Sequence, residues 1–363
     1  MNRLIKTALL SATLLMGTSL AFADCKPKPV KRCVPKPPEC PCPPKAAKPP
    51  MAPSYSAPAR ITTRCEWDKA LWASFIYWQP RFESFSLAGI DTSGDGIPDD
   101  FIEMDYDWKP GFKVGASTEL NRDDWNGFAQ YTWMHMSNRV SVTPEFANIR
   151  LQPNDYFYPN SSSQVSSLKS RWQMSANWMD LGLSRAYYSG TELTFTPFFG
   201  PKVAWITHRV NSQYIDESLP DTPIYSKARV KSWKVGPRVG FLGNWHLGEG
   251  VRFTGDAAFS ILYSRYKVKF DGVVNEQGDV KTLATTRKSL SQLIPWAELS
   301  WGLGWGSYFN QDRWHMDLSA AYELHVVFDE TIFDQLFPNL LGANKKSSDL
   351  YFHGLTLNAK VDF

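Results

Sequence analysis

The chain has 363 residues, of which 43% are hydrophobic, 14% aromatic and 21% charged, with a formal net charge of +3. Mean hydropathy is −0.34, and beyond the extreme N-terminus no apolar run approaches the roughly 18 residues of a spanning helix, so a helical membrane protein is excluded. The aromatic load excludes a disordered chain, leaving a soluble β-rich protein or a membrane β-barrel.

The charge is divided by region. Residues 24–60 hold eight Lys or Arg against Asp24 and Glu39, whereas residues 61–363 carry 29 basic and 34 acidic side chains. The main body is therefore slightly acidic, and no nucleic-acid partner is expected. Arg3 and Lys6 precede an apolar stretch from Ala8 to Leu20 and the small-residue site Ala21-Phe22-Ala23, the pattern of a secretory signal over 1–23. Asp24 separates that site from Cys25, so lipidation is not expected.

Residues 24–60 contain twelve of the 25 prolines. Proline at this density removes backbone donors and fixes φ, so residues 24–65 are expected to form an extended arm. The arm carries Cys25, Cys33, Cys40, Cys42 and Cys65. An exported protein oxidises such cysteines, and an odd number leaves one thiol over. The expected role is a periplasmic arm that cross-links the chain into a homo-oligomer or to cysteine-rich envelope proteins. A spacer with local disulfides is the alternative, and the absence of paired Cys-x-x-Cys spacing speaks against zinc.

From residue 66 onward the apolar pattern has period two. Trp314, Met316, Leu318, Ala320, Tyr322, Leu324, Val326 and Phe328 fall on one face, opposite His315, Asp317, Ser319, Glu323 and His325. Similar alternation runs through Trp172 to Trp178, Trp233 to Trp245 and Val251 to Tyr263. One apolar face sustained for about ten residues is what a tilted strand needs to cross the hydrocarbon layer. The pairs Trp125/Trp133, Trp172/Trp178 and Trp233/Trp245 are expected to form two interfacial girdles.

Ten strands are predicted, near 69–87, 102–118, 125–142, 165–183, 191–212, 226–245, 251–271, 284–303, 312–330 and 349–363. Short turns at 119–124, 184–190, 246–250 and 304–311 alternate with longer connections. The expected fold is all-β, a transmembrane antiparallel up-and-down barrel of the outer membrane, with its termini, short turns and arm in the periplasm. Leu355, Leu357, Ala359, Val361 and terminal Phe363 alternate with polar residues. This ending resembles the assembly signal of bacterial outer-membrane barrels and implies the barrel assembly machinery and outer-membrane lipid as partners.

Within this frame, Trp72-Ala-Ser-Phe-Ile-Tyr-Trp-Gln-Pro80, Trp108-Lys-Pro-Gly-Phe-Lys-Val-Gly115, Asp123-Asp-Trp125 leading to Tyr131-Thr-Trp133, and Pro197-Phe-Phe-Gly-Pro201 resemble the major outer membrane protein (MOMP-like) porins of legionellae and Chlamydia-like bacteria. The resemblance covers about 65–363 and implies a pore-forming outer-membrane protein.

A polar lumen would give small solutes a passive path. Arg171, Lys202, Lys234, Arg238, Arg252, Asp256, Glu298, Asp317 and Glu323 are the expected lining, and their mixed sign implies weak ion selectivity. Ten strands enclose little space, which keeps open a second reading, a non-conducting structural or adhesive barrel held in a disulfide network. Asp91, Ser93, Asp95 and Asp99 have the oxygen spacing of a calcium loop, but Ile102 stands where a bidentate carboxylate belongs, so a solvated acidic loop is the preferred reading and no cofactor is expected. In the last long loop, Ile332, Phe333, Leu336, Phe337, Leu340 and Leu341 recur at helical spacing around Pro338, which suits either a pore constriction or packing on the rim. His325 and Glu323 share a strand face, but a polar lumen lining is the preferred reading of the pair, and no enzymatic activity is expected.

Overall fold

The computed structural model describes residues 59, 61–64, 68–82, 86–91, 100–120, 123–143, 150–153, 165–216, 221–276, 279–330 and 349–363. All described residues belong to one compact unit, within Ala47–Phe363. The signal, the proline-rich stretch to residue 58, all five cysteines, Ser93, Asp95, Asp99 and the hydrophobic loop 331–348 lie outside the described residues.

Among the described residues, fourteen strands form one antiparallel sheet: β1 (Lys69–Phe82), β2 (Ser86–Asp91), β3 (Asp100–Glu103), β4 (Lys109–Leu120), β5 (Trp125–Val142), β6 (Arg150–Pro153), β7 (Val165–Ser184), β8 (Tyr187–Tyr188), β9 (Leu193–Asp216), β10 (Ile224–Gly248), β11 (Val251–Glu276), β12 (Asp279–Phe309), β13 (Trp314–Val327) and β14 (Leu350–Asp362). Ten of them close a ring in the order β1-β14-β13-β12-β11-β10-β9-β7-β5-β4, with β4 returning to β1. These correspond one for one to the ten strands read from the periodicity. The additions are β2, β3 and β6, which pair beyond the upper end of β7, and the two-residue β8.

Closure joins the first strand to the last. β1 and β14 pair from Ala70↔Asp362 to Phe82↔Leu350, and Lys69 and Phe363 exchange both backbone hydrogen bonds at 2.9 Å. The alternation from Leu355 to Phe363 faces outward, Leu355 and Leu357 are exposed, and the Phe363 ring lies 6.1 Å from Trp314. The turns at this end use positive φ at Asp123, Asp124, Glu249, Asn310, Gln311 and Asp312, a region that Asn and Asp tolerate better than most residues.

The apolar outer face is a belt, and its height is legible on β10. Trp233, Val235, Val239, Phe241 and Trp245 are all exposed there. Twelve residues at ~3.3 Å rise, tilted by ~40°, span ~30 Å, the hydrocarbon thickness. Above the belt the pattern inverts. On β7, Trp172, Met174, Ala176 and Trp178 are buried inside, while Arg171, Gln173, Ser175 and Asn177 face out. The expected girdle pair Trp172/Trp178 is therefore corrected: both indoles belong to the interior. Strands of up to 31 residues carry the barrel well past the bilayer, where the outer face meets water and the inner face must supply the apolar packing. Trp125/Trp133 and Trp233/Trp245 face outward as expected.

Two glycines allow the β9–β10 wall to pack tightly over the lumen. A Cβ at Gly200 would lie 2.1 Å from the Leu181 carbonyl oxygen, and one at Gly236 would lie 1.9 Å from that of Ile261. Backbone cannot swing aside as a side chain would. Gly236→Ala is expected to destabilise the barrel by ~1–3 kcal/mol, the range for overpacking, as measured by urea unfolding in lipid vesicles.

Candidate lumen site

The interior has two halves. The half nearer Lys69 and Phe363 contains a cavity of about 700 Å³, lined among others by Trp72, Lys113, Asp180, Arg238, Asp256 and Glu323. Its mouth is crossed by the chain itself. Ala59 N donates to Ala186 O at 3.0 Å and Arg64 N donates to Asp312 O at 2.8 Å. Those acceptors sit in the β7–β8 and β12–β13 turns, four strands apart around a ring of ten, so Ala59 and Arg64 are held at opposite sides of the opening.

Charged side chains reach the cavity because alternate residues of a strand share a face. Lys202 of β9 is fully buried and donates to Asp180 Oδ1 at 3.0 Å and Glu298 Oε1 at 2.7 Å. Arg238 of β10 donates to both Glu298 oxygens, at 3.2 and 2.6 Å. Such a fork is a strong, geometrically specific pair. Lys113 of β4 pairs with Glu323 of β13, whose other neighbour is His325 Nε2 at 3.2 Å. Nearer the mouth, Arg252 meets Asp317 at 2.5 Å.

Eight of the nine expected lining residues thus point inward: Lys202, Lys234, Arg238, Arg252, Asp256, Glu298, Asp317 and Glu323. Arg171 does not. It lies on the outer face of β7 and donates to Ser137 Oγ at 2.9 Å, a consequence of the inverted pattern above the bilayer. The interior also holds Lys113, Asp180, His208, Tyr266 and Glu330, which the sequence does not single out. Asp180 continues the face of Trp172 to Trp178, which periodicity alone assigns to lipid, and Glu330 lies just past a strand end, where alternation carries no information.

The cavity stops at an aromatic partition. Trp78 of β1, Trp178 of β7 and Trp296 of β12 come from well-separated parts of the ring, yet all three are at most 1% exposed. Ring centroids are 6.1 Å apart for Trp78–Trp178, 5.3 Å for Trp178–Trp296 and 5.9 Å for Trp178–Phe352. The lumen is filled at this height. Lys113 Nζ lies 4.9 Å from the Trp78 ring centre and Lys202 Nζ 4.4 Å from that of Trp296, so ammonium groups stand on the ring faces. Trp78 Nε1 donates to Thr356 Oγ1 at 3.1 Å, which fixes its orientation.

Beyond the partition the interior is an apolar core of Phe82, Met136, Leu168, Trp172, Val268, Phe270 and their neighbours. One ionic cluster is enclosed in it. Lys234 Nζ lies 2.8 Å from Glu330 Oε2 and donates to Tyr266 Oη at 2.7 Å; that hydroxyl donates onward to Glu330 at 2.9 Å, and His208 is 3.5 Å from the same carboxylate. At the outer end Tyr106 packs edge-on against Trp172. Burial pushes its hydroxyl up to about 12. Among the described residues no group of three or more His, Cys, Asp or Glu side chains is arranged to hold a metal ion.

Among solved structures, the chain is similar to the outer membrane protease OmpT from Escherichia coli (11% identity, 82% of this chain and 96% of that one, TM-score 0.41). A major outer membrane protein from Thermus thermophilus is similar at 10% identity over 80% and 99% of the two chains, TM-score 0.27. Ail, the attachment invasion locus protein of Yersinia pestis, aligns at 11% identity over 82% and 99%, TM-score 0.21. At such identities and scores, none of their activities transfers to this chain. No curated protein matches it. A family model described as Legionella pneumophila major outer membrane protein precursor matches residues 62–363, the whole barrel, and the chain belongs to that family.

Proposed function

We propose that this outer-membrane barrel passes small solutes and ions through a gated lumen, and that the closed partition is its resting state. The observation that carries this reading is the charged half-lumen ending on the aromatic layer. Burying Lys202, Asp180, Arg238 and Glu298 costs desolvation that a purely structural core of apolar residues would avoid. A two-signed vestibule closed by an apolar constriction has the elements of a gate that opens by wetting. Both signs line the cavity, so discrimination between small anions and cations is weak. The arm is assigned to the periplasm, where its cysteines would cross-link the chain or its neighbours. No catalytic step is proposed: Glu323 is occupied by Lys113 and His325, and the His325 ring is packed against Trp78 and Trp178.

A non-conducting structural barrel is the second reading, favoured by the apolar filling of the outer half. Single-channel recording of the full mature chain in a planar bilayer, with reductant present, separates the two. Brief reproducible openings are expected, with a reversal potential near zero in a salt gradient that moves toward anion preference in Glu298→Lys. A folded barrel that stays silent at every voltage would leave the structural reading. That reading also requires high-mass assemblies that collapse on reduction.

A further inference from the structure

Above the apolar belt the outer wall carries cations in register. Strand pairing sets Arg209 of β9 opposite Arg229 of β10, Arg229 opposite Lys269 of β11, and Lys269 opposite Arg287 of β12. Two residues closer to the belt, Lys231 faces Lys267. Arg209, Arg229, Lys231, Lys267 and Lys269 alternate with buried neighbours and so point outward, and Arg287, exposed and directly opposite Lys269, shares their face. Directly opposed residues on adjacent strands have Cβ atoms only ~5 Å apart, and like charges so placed repel. Among the described residues a single carboxylate meets the ladder, Asp271 at 2.7 Å from Lys269.

Its height is informative. The next row toward the belt is Trp205↔Trp233↔Arg265, and the row after that is Val203↔Val235↔Tyr263↔Leu293, wholly apolar. The cations therefore begin where the hydrocarbon ends, on the side opposite Lys69, Phe363 and the short turns, and short turns are periplasmic in such barrels, so this is the outer leaflet. A cationic array at headgroup depth, continuous with an interfacial aromatic row, is complementary to phosphates held at that depth by acyl chains. We infer that Arg209, Arg229, Lys269 and Arg287, with Lys231 and Lys267, form a docking surface for a lipid carrying clustered phosphates, such as the phosphorylated glycolipid of the outer leaflet. The acyl chains would lie along the apolar belt below, and the phosphates would bridge adjacent rungs and relieve their repulsion.

The test compares the full mature chain with Arg209→Gln/Arg229→Gln/Lys269→Gln/Arg287→Gln in detergent micelles. Thermal unfolding is followed with added bisphosphorylated lipid A, with its dephosphorylated counterpart, or with inorganic phosphate. Bisphosphorylated lipid A is expected to raise the wild-type Tm by several degrees, and its apparent Kd to weaken at least tenfold in the variant and with rising salt. Without lipid the variant is expected to be as stable as wild type or more so, because the repulsion is gone. Arg313→Gln, at a periplasmic turn, should respond like wild type. An equal Tm rise from the dephosphorylated lipid, or an undiminished rise in the quadruple variant, would overturn the inference. An equal rise from inorganic phosphate at the same phosphate concentration would overturn the lipid in favour of a plain anion site.

Discussion

Lys234→Met is expected to destabilise the barrel by ~3–5 kcal/mol, the cost of leaving a buried charge without its partner. Lys234 and Glu330 are both fully enclosed, 2.8 Å apart, and the hydroxyl of Tyr266 links them. Removing the ammonium leaves Glu330 with Tyr266 and His208 in an otherwise apolar half-barrel, where no bulk water can solvate it. Lys234→Met/Glu330→Leu is expected to recover most of the loss, because a pair replaced by apolar groups also loses its desolvation penalty. The single variants, the double variant and wild type form a cycle that isolates the pair's coupling, measured by reversible urea unfolding in vesicles. Lys109→Met is the contrast. Its pair with Asp107 is 2.9 Å long, but Asp107 is well exposed, so the loss should be at most ~1 kcal/mol. Equal losses at Lys234 and Lys109 would contradict the interior placement of the former.

Trp78→Ala/Trp178→Ala is expected to turn brief openings into long-lived conducting steps. Trp178 touches Trp78, Trp296 and Phe352, so removing it with Trp78 deletes most of the partition at the level where the charged cavity ends. Truncation of buried tryptophan costs ~3–5 kcal/mol per site when the cavity does not collapse. A closed ring of backbone hydrogen bonds resists such collapse. The variant should therefore be less stable yet still a barrel, which heat-modified migration on gels checks before any recording. Conductance unchanged from wild type in a folded double variant would place the barrier in the apolar outer half instead. Trp172→Ala, beyond the partition, is the matched control and is expected to lower stability with little gain in open time.

Much of the architecture was legible in order along the chain. Period-two alternation located all ten wall strands, because a barrel wall separates two environments and every strand must show one face to each. Turn chemistry marked the hairpins, since Asp123, Asp124, Asn310 and Asp312 occupy positions that need positive φ. The outward faces of β10, β11, β13 and β14 were assigned correctly from the apolar and aromatic residues that recur every second position. The inward orientation of eight charged residues followed from the same alternation: each lies on the face opposite the apolar one.

Alternation reports two faces without saying which is inside, and here tertiary structure decided. Within the bilayer the apolar face is the outer one. Above it water lies outside and the core lies within, so the same pattern in Trp172 to Trp178 carries the opposite meaning and takes Arg171 out of the lumen with it. The partition itself is a meeting of Trp78, Trp178, Trp296 and Phe352 across roughly 275 residues of sequence, visible only once the ring closes. The cationic ladder is likewise a property of register: Arg209, Arg229, Lys269 and Arg287 are unremarked singly, and only strand pairing brings them side by side. Local patterning determined that this chain is an outer-membrane barrel, because solvent on the two sides of a strand acts residue by residue. What fills the lumen, and what the outer wall presents to lipid, depended on which strands became neighbours.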